Sequence, residues 1–588
     1  MAQDDPQSVF RTLCPSILDT LFNLEAVPPE ADCRTCAFRR AVEGEPKPSS
    51  LPQELFRCIS CGVFLECRSC CLQRHLYTPL HTIKKWTSRQ GFFSDVSLGE
   101  LGLVYQMGHQ GMGCHAATDS TTVTVMHSNG IHRVSIQWCE CDRGEGDTCW
   151  RQAMRMGWYP GSWTRPKTFA TFECLKLFRR QSVIARTNVR DFVTVLERMT
   201  DALTISVVPD RYKSFGHMVR QWAYLNRLAR GGIGHTPEGI KGAEWGAVAT
   251  RCWACPRPGV NLPDGWRDEP ENSAFKYRLY LGLDANFRLE NCMRKKAEQK
   301  VYEGLGEGLG CLVPSQHYFK HLASGITEEE ACTAFAAITQ RDTRMDHGLR
   351  ATGIAGCSCT RHECVRPLGW ADLCKGERFI SMDYVFWACL LKEQLAQVFV
   401  TYDIGCQWRI NLLGKRLGDI PQEIAYDDGA RPSINVALPV FHSTCHEEEC
   451  GSAENCRHKV GAGLTDGEGV ERIWAGFNEL ASATKEMHQD VRFDALEDAI
   501  DHHNWSKNLG MGKSLLYDAL TWELTQNAGV HLRRKREIAI VEQKKQAESF
   551  ALTSESVSLE DQAAWISMIN LWHEQEHLPP KSCTAVTL

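Results

Sequence analysis

The chain lacks any apolar run long enough to span a bilayer: its most apolar stretch, "YVFWACLL", is short and runs into Lys392 and Glu393. Its first residues, "MAQDDPQSVFRTLCPSIL", lack the basic start and apolar core of a secretory signal. An excess of positive charge is missing too. The formal net charge is −6, which excludes a wholly basic nucleic-acid coat and leaves only local basic grooves. There is no internal repeat and no long low-complexity tract, which argues against a solenoid. A soluble intracellular chain with no membrane partner is expected. Its 588 residues suffice for three or four domains, and 43% apolar with 23% charged residues is ordinary globular composition.

Cysteine is what the chain has in excess, with 28. Thiols inside a cell stay reduced, so clustered cysteines point to metal before disulfides. The tightest cluster is "CRTC" (Cys33, Cys36), "CISC" (Cys58, Cys61) and "CRSC" (Cys67, Cys70), followed by His75 and His81. Four ligand couples make two tetrahedral zinc sites. In a cross-brace alternate couples share a metal: Cys33, Cys36, Cys67 and Cys70 on one zinc, and Cys58, Cys61, His75 and His81 on the other. Cys71 is an alternative to Cys70. The pattern resembles B-box-like or treble-clef modules.

Three later groups are less decisive. Cys139 and Cys141, with Cys114 before and Cys149 after, form either a third zinc site or buried thiols. "CWAC" (Cys252, Cys255) needs two more ligands, and "CSCTRHEC" offers Cys357, Cys359, His362 and Cys364. His442, His446 and Cys450 fall at i, i+4 and i+8, one face of a helix, as a metal site or a hydrogen-bonded cluster.

The expected fold is α+β and multidomain. A zinc module occupies 33–86. The segment 87–250 is a cysteine-cluster region, β-rich and then helical from 168, with a hairpin at "TTVTVMHSNGIHRVSIQW" around an Asn-Gly turn. An α/β domain spans 251–525 with an insertion at about 300–395, and a charged helical tail covers 526–588.

In "YRLYLGLDANF" Tyr277, Leu279, Leu281 and Leu283 alternate as in a strand, and then Asp284 arrives where a valine is expected. A carboxylate there is costly without partners or a metal. "QVFVTYDIGCQW" repeats the motif at Asp403, with an amphipathic "CQWRINLLGKRL" after it. "LTDGEGVERIWAGFNEL" sets Glu471 and Arg472 on a helix. Two strand-end aspartates and a helix glutamate, in that order, are the arrangement of RNase H-type polynucleotidyl transferases, where they hold two divalent ions. Magnesium suits them, as a hard cation that prefers oxygen ligands.

The chain resembles the Kyakuja–Dileera–Zisupton (KDZ) transposases with their CxC-type cysteine cluster. The resemblance runs from about residue 33 to 575. It rests on "LGLVYQMGHQGMGC", "NGIHRVSIQWCEC", "WYPGSWTRPKTFATFECL", "PDRYKSFGHMVRQW", "CWACPRPGVNLPDGW", "LGLDANFRLEN", "KGERFISMDY", "TYDIGCQW" and "TDGEGVERIWAGFNELASATKEM". It implies an RNase H-like domain of the DDE type that cuts and joins DNA at the ends of a mobile element. Asp284 matches the first acidic motif and Asp403 the second. Glu471 is the expected third acid, with Glu468 the alternative. His362, Glu377, Arg378 and Asp383 lie between the aspartates with no role singled out.

The implied cofactors are two Mg2+ ions and two Zn2+ ions, with more zinc if the later clusters bind it. The implied partners are double-stranded DNA and a second copy of the chain, in the nucleus. "RKK" (Arg294–Lys296) and "RRKR" (Arg533–Arg536) are candidate phosphate contacts, the latter equally an import signal. Two departures stand out: Cys374 replaces a usual glutamine, and "WISMINLWHEQEHLPP" looks like the start of a segment that normally continues. The alternative reading is therefore a catalytically inactive, transposase-derived zinc protein that binds DNA or chromatin.

Overall fold

The structure is a computed structural model. It describes residues 5–28, 30–46, 54–87, 89, 91–109, 111–141, 148–201, 210–270, 273–293, 304–323, 348–374, 376–426, 431–463, 465–524, 527–555 and 557–574. The chain divides into two compact units, Met1–Ala223 and Tyr224–Leu588. The division falls inside the helix Tyr212–Arg230 rather than in the Pro/Gly-rich segment after Cys252. Among the described residues no helix is long and apolar enough to cross a membrane.

Among the described residues the first unit contains two sheets. One is antiparallel, in the order β2-β1-β3-β4, built from β1 (Glu54–Cys58), β2 (Gly62–Glu66), β3 (Ile83–Thr87) and β4 (Phe93–Val96). Its core is small: Phe56, Ile83, Leu98, Leu101 and Leu103, with Cys58 and Cys71. The sheet thus extends past residue 86, the expected end of the zinc module.

The second sheet has the order β5-β7-β6-β9-β8, from β5 (Val104–Gln106), β6 (Thr121–His127), β7 (Gly130–Gln137), β8 (Trp158–Pro160) and β9 (Thr168–Thr171). The hairpin forms, but Ser128 and Asn129 make the turn and Gly130, at φ +140°, already pairs with His127. Thr168–Thr171 is a strand, not the start of a helix, because it pairs with β6 and β8. The helix Phe172–Ala185 begins only after Thr171 caps it by accepting from the Cys174 N–H. That helix and Val189–Thr200 bury Leu175, Phe178, Phe192 and Leu196 against Met126 and Ile131.

The second unit is organised by a five-stranded sheet, order β14-β13-β10-β15-β16. Its strands are β10 (Leu279–Asn286), β13 (Gly353–Cys359), β14 (Cys364–Leu373), β15 (Gln397–Tyr402) and β16 (Ser433–Ala437); a separate ribbon pairs β11 (Asn291–Cys292) with β12 (Leu349–Ala351). The β10 strand runs antiparallel to β13 and parallel to β15, and β15 runs parallel to β16. Tyr277 belongs to a 3-10 turn before β10, so the expected alternation begins at Leu279.

Strand alternation sorts the side chains of this sheet. Leu279, Leu281, Leu283, Val398, Val400 and Tyr402 enter one core, shared with the helix Phe379–Cys389, which is buried from Ser381 onward. Tyr280 and Phe399 enter a core on the other face. The pairing of Leu283 with Tyr402 is followed on each strand by an aspartate, so Asp284 and Asp403 come level on that other face.

Over this face lies the helix Gly469–Phe477, whose Val470, Ile473, Trp474 and Phe477 pack with Ile354 and Trp370. Two glycines permit the approach. A Cβ on Gly356 would stand 2.5 Å from the Trp474 ring, and one on Gly469 would stand 2.3 Å from the Thr360 carbonyl oxygen. The helix Gln489–Leu524 packs into the same core through Phe493, Leu496 and Ile500. Its Asn504 bonds the backbone of Val365 and Thr250, and its Glu497 accepts from Arg227 at 2.9 Å and from the Leu312 N–H at 2.7 Å.

Within "CQWRINLLGKRL" the α-helix is only Gly405–Trp408, followed by 3-10 turns, because Leu412 and Trp408 turn into the core. Arg294–Lys296 and residues 324–347 of the expected insertion lie outside the described residues. Arg533–Arg536 falls on the helix Asn527–Glu555, with Arg534 and Arg536 exposed.

The tight seating of Trp474 gives a stability prediction. Gly356→Ala should cost about 1–3 kcal/mol by overpacking, read by urea unfolding at constant zinc. Gly476→Ala, where a Cβ meets open space on the same helix, should be neutral or stabilising by about 0.4–1 kcal/mol.

Candidate functional site

The acidic face of the second unit's sheet is closed by hydrogen bonds that fix individual oxygens. Asp284 is only 9% exposed and sits opposite Gly356 across the β10–β13 pair. The Trp474 indole N–H donates to its Oδ2 at 2.6 Å. Asp403 follows the last residue of β15. Glu468 is the cap residue of the helix Gly469–Phe477, and Glu471 lies in its first turn. Glu377, buried just before the helix Phe379–Cys389, accepts from the Tyr402 hydroxyl.

Burial and the acids around them raise the two aspartates. Burial pushes the Asp284 carboxyl well above the usual range, and the charges of Asp403, Glu377 and Glu471 push it further. Asp403 is raised to about 8, first by burial, then by Glu377, Glu471 and Glu468. Glu471 therefore acts on both aspartates. Glu468 is engaged elsewhere: it accepts from the Phe441 N–H at 2.8 Å and faces His442 Nδ1 at 3.1 Å. The other ring nitrogen of His442 stands 3.3 Å from Asp403 Oδ2. Close carboxylates in a buried site are a donor set that fits hard cations, which remove the mutual repulsion.

The neighbouring residues divide between roles. Arg472 turns outward to bind Glu363 and Asp466, bracing the start of the helix. Asp383 is a buried structural acid, accepting from the Trp408 N–H at 2.6 Å and from Arg416 at 2.7 Å. Arg378 occupies the cap position of the helix Phe379–Cys389.

The cysteines gather into sets sized for metal. Cys33, Cys36, Cys67 and Cys70 form one, and Cys58, Cys61, His75 and His81 another, with all ligand atoms of each set within 4.8 Å of one another. This is the crossed pairing. Cys70, not Cys71, completes the first set: Cys36 Sγ lies 3.5 Å from Cys70 Sγ, while Cys71 packs into the small apolar core. His75 turns Nε2 to Cys61 Sγ at 3.5 Å and Nδ1 to the Cys71 carbonyl oxygen at 2.6 Å.

A third set joins Cys114, Cys139 and Cys141 to His109 rather than to Cys149. His109 Nε2 is 3.2 Å from Cys139 Sγ. A fourth set joins Cys252 and Cys255 to Cys359 and His362, tying the loop before β10 to the β13–β14 turn. Cys357 instead packs beside Cys389, the two sulfurs 3.2 Å apart. Thiolates and imidazoles in tetrahedral groups suit zinc.

The expected helix face of His442, His446 and Cys450 is not formed. A 3-10 turn ends at Cys445, His446 and Glu447 are extended, and a short helix restarts at Glu448. The break sends His442 to the acids and leaves His446 and Cys450 with Cys406. Two hydrogen bonds, from Cys406 and His446, lower the Cys450 thiol to about 5 against the opposing effect of burial.

Residues 277–504 match the model of the Kyakuja–Dileera–Zisupton (KDZ) transposase family, and residues 98–204 match the CxC2-like cysteine cluster associated with KDZ transposases. The chain belongs to the KDZ transposase family. No curated protein and no solved structure gives a match. All five carboxylates lie within the KDZ segment, and the set around His109 lies within the CxC2 segment. The two crossed sets precede both. KDZ membership implies DNA as the partner.

Sequence reading missed His109, Cys406, the contact of His442 with the acids and the part Glu377 plays. The signals were faint but present: "GHQGMGC" precedes the CEC pair, and Cys406 closely follows Asp403 in "TYDIGC".

Metal counting on the KDZ protein tests the crossed pairing. Cys58→Ser with His81→Ala should lose one zinc per chain, as either change does alone, whereas Cys58→Ser with Cys67→Ser should lose two. Sequential pairing abolishes that contrast, because both double changes would then lose two.

The acids give a pH prediction. The folded-state value of Asp403, about 8, is raised above the ordinary value of about 3.9. Its contribution therefore favours folding at low pH and is lost as pH rises toward 8. Without added magnesium, Asp403→Asn should be more stable than the parent at pH 8, by up to about 5 kcal/mol. That difference should vanish near pH 4, measured by thermal unfolding.

Proposed function

We propose that this KDZ chain is a DDE-type DNA transposase on an RNase H-like domain, cutting and joining double-stranded DNA at mobile-element ends in the nucleus. One observation carries the reading: a buried aspartate on β10 and a half-buried one just past the end of the adjacent parallel strand β15 come level, and a helix bearing Glu471 packs over them. RNase H-type polynucleotidyl transferases use two central-strand carboxylates and one on a packed helix.

Asp284, Asp403 and Glu471 would hold two magnesium ions, which when bound activate the attacking water or 3′-hydroxyl and stabilise the leaving oxygen. The chain's own residues prepare that site. Trp474 fixes one oxygen of Asp284 and directs the other away from the indole. Tyr402 orients Glu377 at the rear of the pair. His442 and the Phe441 N–H hold Glu468 to the side, which favours Glu471 as the third acid. Because the net charge is −6, DNA must be met by local basic surface.

The test is cleavage of DNA carrying the element's own ends, with magnesium and the full chain. Asp284→Asn and Asp403→Asn should each reduce cleavage by more than about 100-fold, beyond the usual effect of changes behind the metal ligands, while DNA binding persists. The double change should be no worse than either, because the acids act as one unit. Glu471→Gln should match them and Glu468→Gln should do less. Magnesium-dependent cleavage by Asp403→Asn at the parental rate would overturn the assignment.

A further inference from the structure

Beside the acids sits a sulfur and nitrogen cluster that the proposed reaction does not use. Cys406 lies on the short helix Gly405–Trp408, directly after the Asp403 turn. His446 and Cys450 come from the segment after β16. His446 Nδ1 is 3.8 Å from Cys406 Sγ and 3.9 Å from Cys450 Sγ, and the three ligand atoms lie within 4.8 Å of one another. A tetrahedral zinc with Zn–S near ~2.3 Å and Zn–N near ~2.0 Å holds its ligand atoms roughly 3.5–3.8 Å apart. The cluster already has nearly that size, and all three residues are half-buried.

The other nitrogen of His446 makes the cluster relevant to function. Nε2 lies 2.8 Å from the backbone carbonyl oxygen of Asp403. A metal on Nδ1 leaves the ring proton on Nε2, so that N–H donates to the carbonyl. His75 shows the same division: one nitrogen faces the thiol set and the other a backbone carbonyl. Two thiols and an imidazole are soft and intermediate donors that select zinc over magnesium.

We infer that Cys406, His446 and Cys450 hold a zinc ion, completed by water, that braces the turn carrying Asp403. The metal would grip the turn twice, through Cys406 in the chain and through the His446 N–H on the Asp403 carbonyl. His446 is then a positioning residue for the magnesium ligand. The bracing role rests on the proposed acid site; the zinc site stands without it.

Zinc content and manganese affinity of the full, zinc-replete chain test the two parts separately, manganese standing in for magnesium. Cys450→Ser should carry one zinc fewer per chain and bind manganese about 10–100-fold more weakly. Cys450→His, which keeps a ligand, should restore both. Asp403→Asn should keep the parental zinc content and lose manganese binding.

An unchanged zinc count in Cys450→Ser, or a Cys406–Cys450 disulfide in the native chain, would overturn the metal site. One zinc fewer with unchanged manganese affinity would overturn the brace. If Cys450→Ser loses several zinc ions by unfolding, Cys450→His decides: parental zinc and manganese binding support the site, and a missing zinc overturns it. Absence of manganese binding in the parent chain would overturn the acid-site reading and the brace, while the zinc count would still decide the cluster.

Discussion

Asp284 and Asp403 are forced together by the register of two parallel strands, and their repulsion is the constraint around which the second unit is arranged. Nothing in the large apolar core on the opposite face can offset it. The response comes from the helix Gly469–Phe477, which must lie close enough for an indole N–H to reach a carboxylate oxygen. That closeness depends on the missing side chains of Gly356 and Gly469. The long helix from Gln489 packs into the same core as Trp474 and is tied to Val365 and Leu312 through Asn504 and Glu497. A carboxylate cluster, two glycines and two helices thus form one dependent series.

The first unit solves a different problem. Its small sheet buries few apolar residues, too few to stabilise a fold alone. The cysteine knuckles lie at its margins, and two begin helices: Cys33 caps Arg34–Glu43, and Cys67 precedes Arg68–Arg74. Metal held by these sets would take the place of apolar area.

What was legible in the chain follows from how local each signal is. Paired cysteines declare themselves because both ligands come from one turn. The strands around Asp284 and Asp403 declare themselves because burial on both faces leaves an apolar run ending in an acid. His109 and Cys406 are single residues outside any paired knuckle, and most of their partners come from distant elements, so the local signal for each is faint. The His442, His446 and Cys450 spacing misled because periodicity presumes an unbroken helix, and the extended His446 and Glu447 break it. The strand at Thr168–Thr171 was hidden because its pairing partners lie outside its own segment.

The crossed order of the first two sets also bears on how the chain is made. Neither set can close on its own stretch of polypeptide: the first waits for Cys70, and the second waits for His81. A ribosome adding about 5–20 residues per second would expose Cys33 several seconds before His81 emerges. Through that interval the segment holds unpaired thiols and almost no apolar core, open to oxidation and to proteases. The two sets become complete within eleven residues of each other, at Cys70 and His81, so metal held by both would brace the N-terminal segment over one short interval of synthesis.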